Sequence, residues 1–379
     1  MAETIDRLDT PCLVLDEDRM MRNAARLDQR MASLGIRLRP HLKTAKSVEV
    51  ARRILPAPTG PATVSTLKEA EQFGAAGITD LVYAVGIAPA KLDRVVALRR
   101  RGVDLALVLD SAEAAYAVAT CAGMTGDPIP VLIEIDSDDH RAGVKPEAAD
   151  QLVAIGRILQ AGASLRGVLT HAGASYDARG ETALIDAAER ERAAAVAAAA
   201  VLRAAGLPCP VVSVGSTPTA HFARSLDGVT EMRAGVYMFF DLVMAGIGVC
   251  AIDDIAVSVL ATVIGHQRDK GWIFVDAGWM AMSRDRGTAR QPVDQGYGLA
   301  CDLDLCPYPD LVMIDANQEH GLLAIRPGSD AVLPDLALGA RVRILPNHAC
   351  ATAAQHESYR VVGSDAREVR AEWPRFNGW

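Results

Sequence analysis

Eight short apolar segments alternate with amphipathic stretches between residues 36 and about 240, and this rhythm restricts the fold more than any other feature of the chain. The segments predicted as strands are 37–43, 61–66, 80–86, 104–110, 130–136, 165–171, 210–216 and 231–238. The clearest predicted helices between them are 67–75, 89–100, 112–121, 147–160 and the alanine-rich 183–205. Eight strand–helix units within roughly 200 residues favour a closed parallel (β/α)8 barrel of the TIM type over an open doubly wound sheet. No GxGxxG follows an early strand, which also weakens the dinucleotide-binding alternative.

The pattern changes after about residue 246. Five further runs, separated by Gly, Asp, Asn and Pro, predict a mostly antiparallel β domain: 254–265, 272–276, 311–315, 341–345 and 359–363. The opening segment 12–16 precedes a long predicted helix, 17–34, and has no place among the eight barrel strands, so we expect it in the β domain. The predicted division is a barrel at 17–245 and a β domain made of 1–16 with 246–379.

Composition limits the classes of partner. The net charge of −8 argues against nucleic acid or an anionic membrane surface, and no apolar run approaches the length of a membrane span. The first residues lack the basic and then apolar order of a secretory signal. Seven cysteines without regular spacing do not form a disulfide framework. These features predict a protein of the reduced cytoplasm that acts on a small molecule.

Functional groups of a barrel gather where its strands end at the carboxyl face. Gly215, Ser216 and Thr217 combine a glycine, two hydroxyls and a predicted helix start, so that free backbone N–H groups can bind an anion. The segment 233–237 offers a second glycine, Gly235, beside an arginine and a phenol. These loops follow predicted strands seven and eight, where barrel phosphate sites typically lie. Ordinary turns would show the same local composition.

Lys43 lies at the end of the first predicted strand, in the segment RPHLKT. The side-chain period of a strand would place Arg39, His41 and Lys43 on one face. A lysine in a crowded, basic, partly desolvated setting loses preference for its ammonium form, and a neutral amine can form a Schiff base. A solvated basic edge strand is the alternative. Together with a phosphate site across the barrel mouth, this lysine predicts a pyridoxal phosphate site.

Three further residues suit the ring of that cofactor. Arg141 follows strand five and would reach the phenolate oxygen, and His171 at the end of strand six would stack on the ring. Arg233 would face the ring nitrogen, where an arginine discourages protonation and weakens the electron sink. A solvated loop arginine and a hydrogen-bonded core histidine are the alternatives for the first two.

His348 and Cys350 lie two residues apart and would share a face if they were on a strand. Imidazole and thiolate are ligands for a soft or borderline metal such as zinc. Two protein ligands leave open positions for water or substrate, as catalytic sites require. A turn histidine beside a buried cysteine is the alternative. The segment 318–321 is a candidate source of groups that orient these ligands.

Motifs spread from residues 10–12 to 348–350 resemble the fold-type III pyridoxal phosphate enzymes, the alanine racemase-like group with a barrel and a β domain. Within that group the chain is most similar to the metal-dependent branch of aldolases and dehydratases that act on D-3-hydroxyamino acids. Segment 39–44 resembles the motif of the Schiff-base lysine. Segment 170–173 with Tyr176 looks like the ring-side and phosphate-side segment, and segments 214–217 and 233–237 resemble the two phosphate-binding loops.

The resemblance implies pyridoxal phosphate, a divalent metal (Zn, Mn or Co) on His348 and Cys350, and a homodimer whose sites are completed by the partner. The residues that it implies for the cofactor are Lys43, Arg141, His171, Tyr176, Gly215, Ser216, Thr217, Arg233, Gly235, Val236 and Tyr237. Aldolases of the branch carry His-x-Asp and dehydratases His-x-Cys, so Cys350 favours dehydration. Segments 208–215 and 276–284 look most like members acting on D-threo-3-hydroxyaspartate. The expected reaction is therefore β-elimination to oxaloacetate and ammonia, with Lys43 as the catalytic amine.

Other functions stay open at this point. The same scaffold supports dehydration of D-serine, or retro-aldol cleavage to glycine and an aldehyde. A racemase needs a second base and no metal, and a non-catalytic pyridoxal phosphate carrier would resemble the barrel alone. Without a role for Lys43, a barrel enzyme for a phosphorylated metabolite remains. An acidic substrate needs a further cation, for which Arg141, Arg284 and Arg290 are unranked candidates.

Overall fold

A computed structural model of the chain describes residues 3–363, 365 and 367–379. The chain forms two compact units. One comprises Arg26–Gly235 with the last two residues, and the other comprises the segment up to Ala25 with Val236–Asn377. The domain boundaries at 17–245 and at 1–16 with 246–379 stay a prediction.

Strand β1 (Cys12–Asp16) and helix α1 (Glu17–Ser33) come first, and eight parallel strands then form the barrel. These are β2 (Arg37–Pro40), β3 (Ala62–Val64), β4 (Asp80–Gly86), β5 (Asp104–Leu109), β6 (Pro130–Ile135), β7 (Ser164–Thr170), β8 (Val211–Val214) and β9 (Glu231–Ala234). Their order is β2-β9-β8-β7-β6-β5-β4-β3, and a parallel bridge between His41 and Thr63 joins the end of β2 to β3. The predicted barrel is confirmed and each of its eight strands is present, although the strand predicted at 231–238 ends at Ala234, because Val236–Met238 form a 3-10 turn.

Helices follow the strands because apolar residues recur at helical spacing and polar residues cap the ends. They are α2 (Val48–Ile54), α3 (Leu67–Ala75), α4 (Leu92–Arg100), α5 (Ala112–Thr125), α6 (Ala149–Gly162), α7 (Gly180–Ala204) and α8 (Thr217–Phe222). At the start of α3, the Glu69 N–H donates to Thr66 Oγ1 at 3.0 Å, and the Glu69 carboxylate accepts the Ser65 N–H at 3.0 Å. Among the described residues, none of the helices is both long and apolar enough for a bilayer crossing.

The second unit contains a nine-stranded sheet with the order β11-β14-β13-β12-β15-β10-β1-β16-β17. Its later elements are α9 (Leu242–Gly246), β10 (Val257–Gln267), β11 (Trp272–Val275), α10 (Trp279–Met282), β12 (Gly298–Cys301), β13 (Pro307–Ala316), β14 (Gly321–Ile325), β15 (Arg341–Pro346), α11 (Ala349–Ala353), β16 (Ser358–Val362) and β17 (Val369–Pro374). The pairings are antiparallel except that of β1 with β16, and β11 also pairs with β10. Strand β1 therefore lies in the β sheet, as expected, while β12, β14 and β17 were not predicted.

A buried ion-pair network joins four barrel strands. Glu231 on β9, 1% exposed, accepts from Arg39 Nε at 2.9 Å and from Arg37 at 2.7 Å, both on β2. Ser213 on β8 donates to the same carboxylate at 2.8 Å, and Arg39 also binds Asp80 on β4 at 2.7 Å. The network satisfies charges that would otherwise be costly to bury.

Replacing Glu231 with alanine is expected to lower the free energy of unfolding by about 3–5 kcal/mol, because it leaves the Arg39 guanidinium buried with one partner fewer. The matched control is Glu181→Ala, which removes an exposed pair with Arg224 and should cost about 0–1 kcal/mol. Urea unfolding of both variants provides the measurement. Equal losses in the two variants would contradict a structural role for the buried network.

Candidate functional site

Strand β2 ends earlier than predicted, so the expected strand 37–43 is wrong at its carboxyl end. The backbone changes its hydrogen-bond partner there. The His41 N–H donates to the Ala234 carbonyl on β9 at 2.7 Å, whereas the next residue, Leu42, donates to the Thr63 carbonyl on β3 at 2.9 Å. The chain then turns, because the following residues no longer continue the ladder with β9.

Lys43 lies in that turn and is half-buried. The predicted alternation of Arg39, His41 and Lys43 on one strand face therefore does not hold. Arg39 belongs to the buried network with Glu231, while Lys43 lies beyond the end of the strand. Lys43 is nevertheless at the carboxyl end of a barrel strand, which is where catalytic groups of such barrels lie.

His41 is held as a neutral imidazole. Burial lowers its pKa well below the usual value, and the positive charges of Lys43 and Arg233 lower it further. Its Nδ1 accepts the Lys43 N–H at 3.4 Å, and its Nε2 lies 3.3 Å from the Ser65 hydroxyl. A neutral ring whose Nδ1 accepts carries its proton on Nε2, so His41 donates to Ser65.

His171, at the end of β7, is also neutral. Burial and the charges of Arg141 and Lys43 lower its pKa to about 3. Its Nδ1 lies 2.7 Å from the Gly215 carbonyl, which can only accept, so the ring proton is on Nδ1. The ring lies 6.2 Å from that of Tyr176 at a tilt of 45°. His171, Lys43 and Arg141 are thus within electrostatic range of each other, while stacking on a cofactor stays a prediction.

The loop after β8 has the form of an anion cradle. Gly215 has a φ of 144°, and a Cβ there would collide with the backbone oxygen of Arg233, so only glycine fits. Ser216 caps α8 reciprocally with Thr219. Thr217 is 1% exposed, and its hydroxyl has no hydrogen-bond partner among the described residues. A buried hydroxyl without a partner fits a bound phosphate oxygen.

Glu191 on α7 holds this loop through its backbone, a role that the sequence did not predict. Its Oε1 accepts the Gly215 N–H at 2.9 Å and the Ala172 N–H at 2.8 Å. One carboxylate oxygen therefore fixes the backbone after β7 and after β8.

Arg233 on β9 is 4% exposed and points into a polar cluster. It donates to Ser213 Oγ at 3.0 Å and to the Thr170 carbonyl at 2.5 Å, while its Nε has no partner among the described residues. Burial lowers the pKa of Arg233, and the charge of Glu191 raises it. An orphaned buried N–H of this kind fits an acceptor atom on a ligand, such as a ring nitrogen.

Arg141 lies on the exposed part of the loop after β6. The loop is fixed by Asp136, which accepts the Asp139 N–H at 2.8 Å and binds Lys145 at 2.6 Å. Glu134 lies nearby on β6, and burial together with the charge of Asp110 raises its pKa to about 6, against the lowering effect of Arg233 and Arg141.

The segment after β9 is divided between the two units. A Cβ on Gly235 would meet the backbone oxygen of His41 at 3.2 Å, so this glycine lets two barrel-end loops approach. Val236 and Tyr237 begin a buried 3-10 turn that belongs to the other unit. Their contacts with a cofactor stay predictions.

His348 and Cys350 are not on a strand, so that part of the prediction is wrong. Strand β15 ends at Pro346, His348 is the N-cap residue of α11, and Cys350 lies within that helix. Their side chains are close all the same, since a hydrogen bond with Cys350 and the charge of Cys350 both raise the pKa of His348.

Two carboxylates organise this second site. Asp285 accepts at 2.7 Å from His348 Nδ1, and Asp241 accepts the Ala349 N–H at 3.0 Å. Burial would lower the pKa of His348, but Cys350 and Asp285 raise it to about 11. The segment 318–321, predicted in the supporting role, instead places the ring of His320 6.4 Å from the ring of Phe274.

The donor set at His348 fits a metal with open positions. A carboxylate on Nδ1 leaves Nε2 for the metal, which is the usual arrangement of histidine ligands. Where the structure describes the chain, no three His, Cys, Asp or Glu side chains are grouped to hold an ion. The predicted set stays at two protein ligands, His348 and Cys350, with Asp285 placed to support His348.

Fold and site define an alanine racemase-like protein. Residues 15–243 match the family Alanine racemase, N-terminal domain, and residues 256–362 match the Putative serine dehydratase domain. The chain belongs to the alanine racemase-like family, as its motifs predicted.

The chain is 59% identical to the D-threo-3-hydroxyaspartate dehydratase of Delftia sp. (strain HT23), with all of both chains covered. The structure of that enzyme matches with a TM-score of 0.96 at 58% identity, covering 100% of each chain. A D-threonine aldolase from Filomicrobium marinum matches with a TM-score of 0.82 at 28% identity, covering 99% of this chain and 97% of the aldolase. The D-serine dehydratase of Dictyostelium discoideum is 28% identical, with 98% of each chain covered.

Replacing Asp285 with alanine is expected to weaken zinc binding about 10–100-fold, because His348 loses the group that orients it. Competition with a chromogenic chelator measures the affinity. The control is Glu319→Ala, which removes an exposed carboxylate in the segment 318–321 and should leave the zinc affinity unchanged. An unchanged affinity in the Asp285 variant, or an equal loss in the control, would contradict the assignment.

Proposed function

We propose that this protein is a pyridoxal phosphate- and metal-dependent lyase that dehydrates a D-3-hydroxyamino acid. The substrate favoured is D-threo-3-hydroxyaspartate, with oxaloacetate and ammonia as products. The observation that carries the proposal is the full-length identity of 59% to the dehydratase of that name. The geometry around Lys43 and around His348 supports it residue by residue.

The barrel residues suit pyridoxal phosphate. When bound, this cofactor supplies an electron-withdrawing ring that stabilises negative charge on the α-carbon of an amino acid. Lys43 Nζ would bind its aldehyde carbon and, once displaced by the substrate amine, accept the α-proton. Arg233 Nε would face the ring nitrogen, and because a guanidinium keeps its protons, that nitrogen would stay unprotonated.

The phosphate would occupy the loop after β8, where the Thr217 hydroxyl lacks a partner and Gly215 keeps the backbone open. Glu191 fixes that loop before any ligand arrives. The remaining cofactor contacts that we propose are Arg141, His171, Tyr176, Ser216, Gly235, Val236 and Tyr237. His171 is suited to lie against the ring, because its neutral imidazole adds no charge there.

His348 and Cys350 would hold the divalent metal, with zinc, manganese or cobalt as candidates. A metal in this position would supply a Lewis acid for the substrate's β-hydroxyl oxygen, a poor leaving group. The His348–Asp285 hydrogen bond keeps the imidazole in the tautomer that can ligate. Among solved relatives are a histidine-to-alanine variant of D-threo-3-hydroxyaspartate dehydratase and a cysteine-to-alanine variant of the same enzyme in the metal-free form.

The overall change removes the α-proton and the β-hydroxyl, so one water leaves and a carbon–carbon double bond forms. The enamine that is released hydrolyses to a 2-oxo acid and ammonia. Retro-aldol cleavage is the second candidate, since the D-threonine aldolase shares the fold at a TM-score of 0.82. Cys350, where aldolases of the branch are expected to carry aspartate, favours dehydration.

Three further expectations, on location, oligomeric state and domain bounds, complete the proposal. We propose that the protein is a cytoplasmic homodimer and that its domains divide at 17–245 and at 1–16 with 246–379. Light scattering of the purified protein measures its oligomeric state, and the mass of a single protomer would contradict the homodimer.

Incubating the holoenzyme with D-threo-3-hydroxyaspartate is expected to give ammonia and oxaloacetate in equal amounts, without glycine. D-serine and D-threonine are the parallel substrates, and they would give pyruvate and 2-oxobutanoate if they react by the same elimination. Chromatographic identification of the products provides the measurement. Glycine and an aldehyde as the main products would contradict dehydration and support the aldolase alternative.

A further inference from the structure

A small polar cavity lies within the barrel unit, beside the loops that follow β6 and β7. Its volume is about 10 Å³, the space for a single occupant the size of a water molecule. It is lined by the oxygen-bearing residues Ser137, Asp138, Ser175 and Glu191, by Arg190 and by three alanines. Nothing in the dehydration chemistry uses this space.

Glu191 is the buried group that makes the cavity unusual. It is 1% exposed, and the backbone N–H groups of Ala172 and Gly215 both donate to its Oε1. Oε2 is buried and has no hydrogen-bond partner among the described residues. Within the described part of the chain no ion pair joins Glu191 to Arg190, whose side chain is exposed, although the charge of Arg233 acts on Glu191. A buried carboxylate with one bare oxygen is costly unless a positive or hydrogen-donating group meets it.

Two of the other groups at the cavity, Ser175 and Asp138, present acceptors to an occupant. Ser175 Oγ gives its proton to the Ala172 carbonyl at 2.7 Å, which leaves only lone pairs for an occupant. Asp138 is a second carboxylate, and one of its oxygens accepts the Ala174 N–H at 2.8 Å. A water has two protons to donate, whereas a cation can satisfy three or more oxygen acceptors at once.

We propose that this cavity binds one monovalent alkali cation, K⁺ or Na⁺, with Glu191 Oε2 as its principal ligand. Hard oxygen donors suit such an ion. Magnesium usually retains several waters in an octahedral shell, and the cavity has no room for them. The cation site is separate from the metal expected on His348 and Cys350.

The ion has a consequence for the proposed cofactor site, and this step rests on the proposed function. Glu191 holds the backbone of Ala172 and Gly215, which belong to the loops proposed for the ring and the phosphate. A cation would neutralise the buried carboxylate and hold both loops in place. Cofactor is therefore expected to dissociate faster from the holoenzyme when alkali cations are replaced by choline.

Crystals of the holoenzyme grown in rubidium chloride test the site directly, because Rb⁺ stands in for K⁺ and scatters anomalously. The expected result is an anomalous peak in the cavity within coordination distance of Glu191, and its absence in a Glu191→Gln crystal. If Na⁺ alone binds, the Rb⁺ peak is missing but the stabilisation by sodium described next remains. Water density without an anomalous peak, together with no response to either ion, overturns the proposal.

Thermal unfolding of the holoenzyme in KCl, NaCl and choline chloride at equal ionic strength gives the second readout. The midpoint should be about 2–4 °C higher in one or both alkali salts. Glu191→Gln should lose this difference, whereas Glu189→Gln, an exposed carboxylate of the same helix paired with Arg192, should keep it. Asp138→Asn is the second variant if Glu191→Gln does not fold. A response that persists in both cavity variants contradicts the site, whatever reaction the enzyme catalyses.

Discussion

The closure of the barrel, where the end of β2 meets both β9 and β3, is the constraint on which the rest of the site depends. The His41 N–H donates to β9 and the next N–H, that of Leu42, donates to β3. The chain therefore closes the barrel at the point where the strand ends. Lys43 is the next residue, and it is therefore placed at the barrel mouth by the backbone itself. The Arg39–Glu231 network supports the same strand from its buried side. Because Lys43 lies in the turn directly after the strand that closes the barrel, no flexible loop is needed to hold it.

Charge is distributed unevenly around that lysine. Burial, together with the charges of Lys43 and Arg233, keeps His41 and His171 neutral, and Arg141 adds to the effect on His171. A surplus of positive charge at a barrel mouth favours an anionic ligand such as a phosphorylated cofactor. Negative charge surrounds His348 in the second unit, since Cys350 and Asp285 raise its pKa. Negative groups of this kind favour a bound cation.

Periodicity predicted the fold well because it reports burial, which is a local property of the sequence. The eight barrel strands followed from it, and β1 was assigned to the sheet because it had no place among those eight. The end of β2 and the helical position of Cys350 did not, because both depend on which backbone group accepts a hydrogen bond far away in sequence. Lys43, Arg233 and the loop at Gly215 were predicted from strand ends.

Glu191 and Asp285 were missed for the same physical reason. Glu191 lies in an alanine-rich helix and resembles the exposed Glu189 until the fold brings it behind the Gly215 loop. Asp285 follows directly on the segment 276–284, yet only the structure shows its hydrogen bond with His348. Residues that position catalytic groups carry no motif of their own, since their partners come from elsewhere in the chain.

The central claim is that the amine of Lys43 carries the aldehyde cofactor. Borohydride reduction of the native protein followed by peptide mapping tests it most directly. The account predicts that one peptide carries the reduced pyridoxyl group and that the group is on Lys43. A label on another lysine, or no label in a protein that retains activity, would contradict it.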